Sequence, residues 1–322
     1  MRGYAGLFFA SFLFSFFAPS LISCKAVVTA PAQKERSFAA VDDFLIQLRN
    51  VDLDLVAKSG YDLAIIDYSK DGSAEGKWKT SEISSVKAKG SFLFAHLSIG
   101  EAESHRSYWQ PLFTPGNPSW LGRQNPERPS SYKVKYWDAE WKKIVKDYLS
   151  EIAAQGFDGV CLDLVDAYEY WSDVGNGENE LLTTVEAADR MESFVKELAD
   201  YARKDLGKSS FIVCPRNGTG VLDDASDSSA YAESIDAVVA ADVYFFGDSE
   251  MDNAWNPRTD VIGDLDSYRS EGKKVFVVEY LSKGNATAVR SFYETARLKG
   301  YVPFAANREF ATLRVNTGFE PD

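Results

Sequence analysis

Cysteine, histidine and methionine are scarce in this chain of 322 residues, with three, two and three copies. The two histidines, His96 and His105, have no metal-ligand spacing, and no zinc-type Cys/His cluster exists, so neither a metal nor any other cofactor is implied. Basic residues are outnumbered, 35 Lys plus Arg against 48 Asp plus Glu, for a formal net charge of −13. Binding to phosphate backbones needs basic patches, which argues against nucleic acid as a partner. An acidic chain suits a cationic polymer, although solubility alone also accounts for the charge. A Gly-rich dinucleotide loop, an internal repeat, a low-complexity tract and a second-domain boundary are all missing.

Long apolar runs are missing too, except at the N-terminus. Arg2 is followed by Leu7, Phe8, Phe9, Phe12, Leu13, Phe14, Phe16 and Phe17 with no further charge until Lys25, the pattern of an export signal over residues 1–23. A retained transmembrane helix is the competing reading, since the run nearly spans a bilayer. Leu21-Ile22-Ser23-Cys24 decides for export, because it resembles the bacterial lipobox. Cys24 would then carry lipid, residues 24–37 would form a tether, and the protein would meet a membrane only through that anchor. The expected location is therefore the cell envelope or the exterior. Of the remaining cysteines, Cys161 and Cys214 sit in apolar strand-like runs, where a free thiol behaves as a small hydrophobe.

What the rest of the chain contains is an alternation of short apolar runs with amphipathic stretches. Strand candidates are 44–48, 63–67, 92–97, 159–163, 211–214, 237–241, 275–279 and 302–305, eight in all. Helical spacing is clear over 140–154 and 186–203. Eight β-α units over residues 38–322 predict an α/β protein with a single (β/α)8 TIM barrel. Its long βα loops fall after the third and fourth strands, at 98–138 and 164–185, the first rich in Trp and Tyr. The sequence leaves the oligomeric state open.

Acids recur at the predicted strand ends: Asp67, Glu101 with Glu103, Asp163 with Asp166, and Glu279. In a barrel those ends converge, and glycoside hydrolysis needs such a set, one carboxyl protonated as acid and another ionised as nucleophile or base. The bland alternative makes them loop anchors, helix caps or ion-pair partners of Arg106, Arg123, Arg216 or Lys283. Asp163, directly ending a β-branched and apolar strand, favours function; Asp158, at the start of the same strand, favours stability. Tyr68, Tyr108, Trp109, Tyr168, Tyr170 and Trp171 follow the strands, where they can stack on sugar rings or simply fill loops.

These segments resemble glycoside hydrolase family 114, the endo-α-1,4-polygalactosaminidase type, in its bacterial and archaeal extracellular branch. The resemblance rests on Tyr61-Asp62-Leu63-Ala64-Ile65-Ile66-Asp67-Tyr68, on Leu97-Ser98-Ile99-Gly100-Glu101-Ala102-Glu103 with Arg106 and Tyr108-Trp109, on Tyr136-Trp137-Asp138 with Trp141, and on Gly156-Phe157-Asp158-Gly159-Val160-Cys161-Leu162-Asp163 with Asp166 to Trp171. It runs from about residue 42 to 310 and implies cofactor-free cleavage of a galactosamine-containing polysaccharide. Asp163 matches the family's first acid. The second, a Glu ending the sixth strand, is replaced by Ala241, and the Gln-Asn-Gly of the fifth strand reads Arg216-Asn217-Gly218.

The expected working pair is therefore Asp163 with Glu279 or Glu101, each of the latter two expected on the same barrel face. Substrate contacts are expected from Asp67, Tyr68, Trp109, Asp166, Tyr168, Arg216 and Asn217. Arg216 would lower the pKa of nearby carboxylates. The alternative is a polysaccharide-binding lipoprotein that has lost turnover, since alanine can supply neither proton nor nucleophile. Asp242, beside Ala241, would point away unless a bulge re-aims it.

Overall fold

The computed structural model describes residues 36–321 together with Met1 and Gly3. The predicted signal apart from Met1 and Gly3, Cys24 and nearly all of the tether lie outside the described residues. Chain contacts separate residues 1–35 from a body of residues 36–322. Arg36, assigned from sequence to the tether, already belongs to that body: it pairs with Asp158 at 2.8 Å and lies 4.5 Å from the Phe92 ring centroid.

Eight parallel strands carry the body. They are β1 (Phe44–Gln47), β2 (Leu63–Asp67), β3 (Phe92–Ser98), β7 (Gly159–Asp163), β8 (Ile212–Pro215), β9 (Ala237–Ala241), β10 (Lys274–Tyr280) and β11 (Val302–Ala306). Between β3 and β7 come the short strands β4 (Glu101–Glu103), β5 (Leu121–Asn125) and β6 (Arg128–Val134). Nearly every residue of the eight parallel strands is buried, which is why they read as continuous apolar runs rather than as alternation. The sequence locates all eight to within a residue or two at either end.

The strands form two parallel sheets, ordered β1-β2-β3-β7-β8 and β9-β10-β11. A bridge between Arg216 and Val239 joins β8 to β9, supported by bonds from Asn217 N to Val239 O and from Asp236 N to Val213 O. Both sheets line one apolar interior: Phe44 of β1 meets Phe276 of β10 at 4.8 Å and Phe304 of β11 at 5.6 Å between centroids. Between β1 and β11 no ladder forms among the described residues, although Phe310 O accepts from Leu48 N and Arg49 N just beyond the strands. The architecture is thus α/β with parallel strands, without the fully hydrogen-bonded ring expected from the sequence.

Helices form where their ends are capped. The helix Ala139–Gln155 starts at Asp138, whose carboxylate accepts from Glu140 N, and stops at Gly156 with φ 95°. Thr184–Asp200 starts with a reciprocal Thr183/Glu186 capping box and continues into a wide turn over Tyr201–Asp205. The loop 98–138 is itself structured: β4, β6 and β5 make an antiparallel sheet. The loop 164–185 holds one short helix, Ala167–Ser172. At the opposite end, Asp158 binds Arg36, Lys87 and Leu93 N, the stabilising role its position at a strand start predicts.

Candidate active site

Asp163 ends β7 buried, 5% exposed, and its carboxylate is fully engaged. Oδ2 accepts from His96 Nε2 and from Arg216 Nη1, both at 2.8 Å, and Oδ1 accepts from Leu164 N at 2.9 Å. Leu164 has φ 67°, a left-handed backbone that a branched residue avoids and that costs about 1–3 kcal/mol, as found where a turn aims a functional group. Burial alone would raise the Asp163 pKa, but the Arg216 charge and the His96 bond overcome it and hold the carboxyl well below the usual range. Arg216 also reaches Tyr280 Oη at 3.2 Å, so β3, β7, β8 and β10 all contribute to one polar cluster at their C-terminal ends.

Asp166, half-buried three residues on, has the opposite character. Its carboxyl is pushed up to about 7, chiefly by burial and then by the charges of Asp163 and Glu169, against the pull of Arg216 and Lys133. The turn that presents it is fixed by tight packing. Gly218, at φ 58°, lies so near the Val165–Asp166 peptide that a Cβ would come within 2.7 Å of Asp166 N. Asn217 also has a positive φ, 61°, and its Oδ1 accepts from Ala241 N at 3.3 Å. It therefore braces backbone between β8 and β9.

A second ionic group sits beside the first. Arg106 clasps Asp67 with two bonds, 2.9 and 2.7 Å, and binds Glu103 through Nε at 2.7 Å. Glu103 is held below its usual pKa because Arg106, His96 and His105 together outweigh its burial. Asp67 thus serves a buried ion pair. Tyr68, His96, Arg106, Tyr108 and Tyr148 enclose only about 10 Å³ there, room for a water at most.

Neither acid expected to work with Asp163 is in its cluster. Glu101 is 1% exposed, with Oε1 accepting from Asn125 at 2.9 Å and Lys133 at 2.5 Å. It fastens the small antiparallel sheet. Glu279 is fully buried, and its Oε1 accepts from Val243 N and Tyr244 N at 2.8 and 2.6 Å. The expectation that it shares a face with Asp163 is corrected by strand alternation: Tyr280 reaches the cluster, so its neighbour Glu279 points the other way. Burial, aided by Asp242, lifts the Glu279 carboxyl to about 8 despite those backbone bonds.

Ala241 leaves no carboxyl on the end of β9. Asp242 follows with φ 54°, which breaks the alternation, and its carboxylate makes two 3.0 Å bonds to Arg308. Arg308 lies 4.0 Å from the centre of the Tyr280 ring, so Asp242 belongs to the rim of the same cluster. The sequence raised a re-aimed Asp242 only as an exception; the backbone realises it.

The aromatics divide. Tyr68, Tyr168 and Trp171 are at most 1% exposed and fill the interior; Tyr168 Oη bonds Asp224, and Trp171 Nε1 bonds Val134 O. Trp109 is partly covered and packs on Tyr132 and Phe113. Loop packing thus accounts for most of them. Cys161 and Cys214 are buried free thiols on register-paired positions, and burial pushes the Cys161 thiol up to about 12.

Comparison with known proteins gives the family and the fold. The family model described as glycoside-hydrolase family GH114 matches residues 25–318. The uncharacterized protein MJ1477 of Methanocaldococcus jannaschii is 38% identical over 277 residues, covering 84% of this chain and 77% of its own length. An uncharacterized protein of Thermotoga maritima is 32% identical over 306 residues, covering 93% and 90%. Among solved structures, the glycoside hydrolase domain of PelA from Pseudomonas aeruginosa superposes with TM-score 0.61 at 19% identity, covering 85% of this chain and 97% of that one. Aspergillus fumigatus Ega3, solved in complex with galactosamine, gives TM-score 0.61 at 18% identity, covering 88% and 96%. At such identities the likeness is one of fold.

Proposed function

The chain belongs to glycoside-hydrolase family GH114, and from that premise we propose that it is an endo-acting glycosidase of galactosamine-type polysaccharide with Asp163 and Asp166 as its working carboxyls. The observation that carries this reading is the contrast between them: Asp163 is held ionised by Arg216 and His96, while Asp166 is pushed up to about 7. Asp166 donates the proton to the leaving oxygen, and Asp163 supplies the negative charge facing the sugar as it becomes cationic. This pairing replaces Glu279 and Glu101, each of which commits its Oε1 elsewhere, to the amides of Val243 and Tyr244 and to the small sheet. The two parallel sheets are read as the halves of a (β/α)8 barrel parted between β1 and β11, with the site at its C-terminal mouth.

The test is reducing-end release from a partially de-N-acetylated α-1,4-galactosamine polymer. The protein should cut it, and Asp163→Asn and Asp166→Asn should each abolish cutting; absence of product from the wild type sinks the reading. A second reading, glycan binding without turnover, is favoured by one observation, the methyl group of Ala241 at the end of β9. It predicts affinity for the polymer with no product over long incubation, and turnover on Ala241→Glu.

We also propose export and a lipid anchor at Cys24, on the strength of Leu21-Ile22-Ser23-Cys24 behind an apolar segment. Metabolic labelling with a fatty acid in a bacterial host should mark the wild type, and Cys24→Ala should remain unlabelled. Labelling of the alanine variant would refute the anchor.

A further inference from the structure

We infer that the segment following β9 presents Trp255 as an aromatic plate on which a pyranose ring of the polysaccharide stacks beyond the two carboxylates. This rests on the glycosidase reading above. Among the described residues, Phe246 and Trp255 are the exposed members of the Phe and Trp set, at 48% and 46%; every other described Phe or Trp is buried or half-buried. Large aromatics in this protein are otherwise spent on packing, and the Arg258 guanidinium lies 5.1 Å from the Phe246 ring centre, which leaves the Trp255 indole as the face a ligand can meet.

Their placement follows from topology. Residues 242–258 leave the C-terminal end of β9, which runs parallel to β10 and is bridged to the end of β8. Asp163, Arg216 and Asp242 lie at that same end of the strands. A chain of sugars held at Asp163 can leave along this rim.

The plate is built rigid before any ligand arrives. Tyr244 stacks under Trp255 with centroids 5.3 Å apart and planes 21° from parallel, and Phe245 meets the same indole edge-on at 5.2 Å. The segment just after Trp255 pairs with the chain leaving β9: Asn256 N donates to Tyr244 O, Arg258 N to Val243 O, and Asn256 Nδ2 to Phe246 O. Glu279 clamps Val243 and Tyr244 from below, and Asn253 staples the turn through two bonds with Ser249. Holding an indole open in this way lowers the entropy lost on binding.

The chemistry favours an amino sugar over a general apolar partner. The C–H bonds on one face of a pyranose meet the electron-rich face of an indole, and a sugar ammonium adds attraction to the same quadrupole. The loop itself is acidic, with exposed Asp248, Glu250 and Asp252. A hydrophobic protein partner gains nothing from those carboxylates.

The experiment is titration calorimetry with de-N-acetylated galactosamine oligosaccharides of graded length. The parent is Asp166→Asn, which blocks turnover at a side chain making no hydrogen bond among the described residues. Trp255→Ala on that parent should weaken binding of the longer oligomers about 3- to 10-fold, with Trp255→Phe keeping most of the affinity. Leu112→Ala, at a more exposed apolar residue on another loop, should leave it unchanged. Equal binding by parent and Trp255→Ala overturns the plate, as does a change of sedimentation from dimer to monomer with unaltered glycan affinity. A parent that binds none of the oligomers overturns the glycosidase reading itself, and the plate falls with it.

Discussion

Arg216 donates to Asp163 Oδ2 at 2.8 Å with both side chains at most a tenth exposed, so the acid at the end of β7 is neutralised by the cation at the end of β8. Each favours the charged form of the other: Asp163 falls below the usual carboxylate range and Arg216 rises above its own, even though burial alone would move each the other way. The site is built around a fixed negative charge, and its properties follow from what surrounds that charge.

Removing the cation should be costly. Arg216→Gln leaves Asp163 buried with only His96 and one amide as partners, and breaking a buried pair in this way costs about 3–5 kcal/mol. Urea unfolding should show that loss. A change below about 1 kcal/mol would mean that water or another cation compensates.

The pH dependence of turnover should fall on the alkaline side through about pH 7, the value to which Asp166 is raised. The sign is fixed: a raised carboxyl pKa favours the protonated form in the folded protein, and only that form donates. By the same linkage this residue's contribution to stability is greatest below the ordinary carboxyl range and declines as pH rises towards 7. A kcat profile flat from pH 5 to 8 would remove Asp166 from the acid role.

Glu279 separates hydrogen bonding from charge. Glu279→Gln keeps an acceptor for Val243 N and Tyr244 N, and should be neutral or stabilising above about pH 8, where the native acid is forced to ionise in a buried site. Glu279→Ala strands two amide donors and should cost about 1–3 kcal/mol for each. Thermal melts at pH 6 and pH 9 distinguish the two. If both variants melt alike, the clamp on the loop after β9 is not what this residue provides.

Gly218→Ala tests how the site is positioned. With φ 58° and only 2.7 Å between a new Cβ and Asp166 N, the variant must strain its backbone or move the turn. A stability loss of about 1–3 kcal/mol should come with reduced kcat, because the displaced group is the proposed proton donor. Wild-type kcat in a destabilised variant would show that Asp166 need not be placed so closely.

Much of the architecture was readable along the chain because its signals are local. Strands buried on both faces announce themselves as unbroken apolar runs, as in Leu63–Asp67 and Gly159–Asp163, and helices announce themselves by period and caps, as at Asp138 and Thr183. Asp163 was identifiable for the same reason, being the last residue of such a run. The antiparallel sheet of β4, β5 and β6 was missed, because short polar strands such as Arg128–Val134 carry no apolar run. The exposed Trp255 and Phe246 were missed too, since an open aromatic and a buried one look identical in a sequence.

By itself, then, the sequence determined the parallel α/β architecture, the acid at the end of β7 and the family's motifs, because these depend on neighbours along the chain. Only the tertiary structure decided which acids are free to act. Tyr280 and Glu279 are adjacent, yet alternation sends one to Arg216 and the other to the amides of Val243 and Tyr244. Asp67, Glu101 and Asp166 all lie at or just beyond strand ends, yet Arg106 and Lys133 claim the first two, while burial raises the carboxyl of the third to about 7. Those partners lie 30 to 40 residues away in the chain for Asp67 and Glu101, at separations of 39 and 32, and a pKa is set by whichever charges the fold brings within a few ångströms.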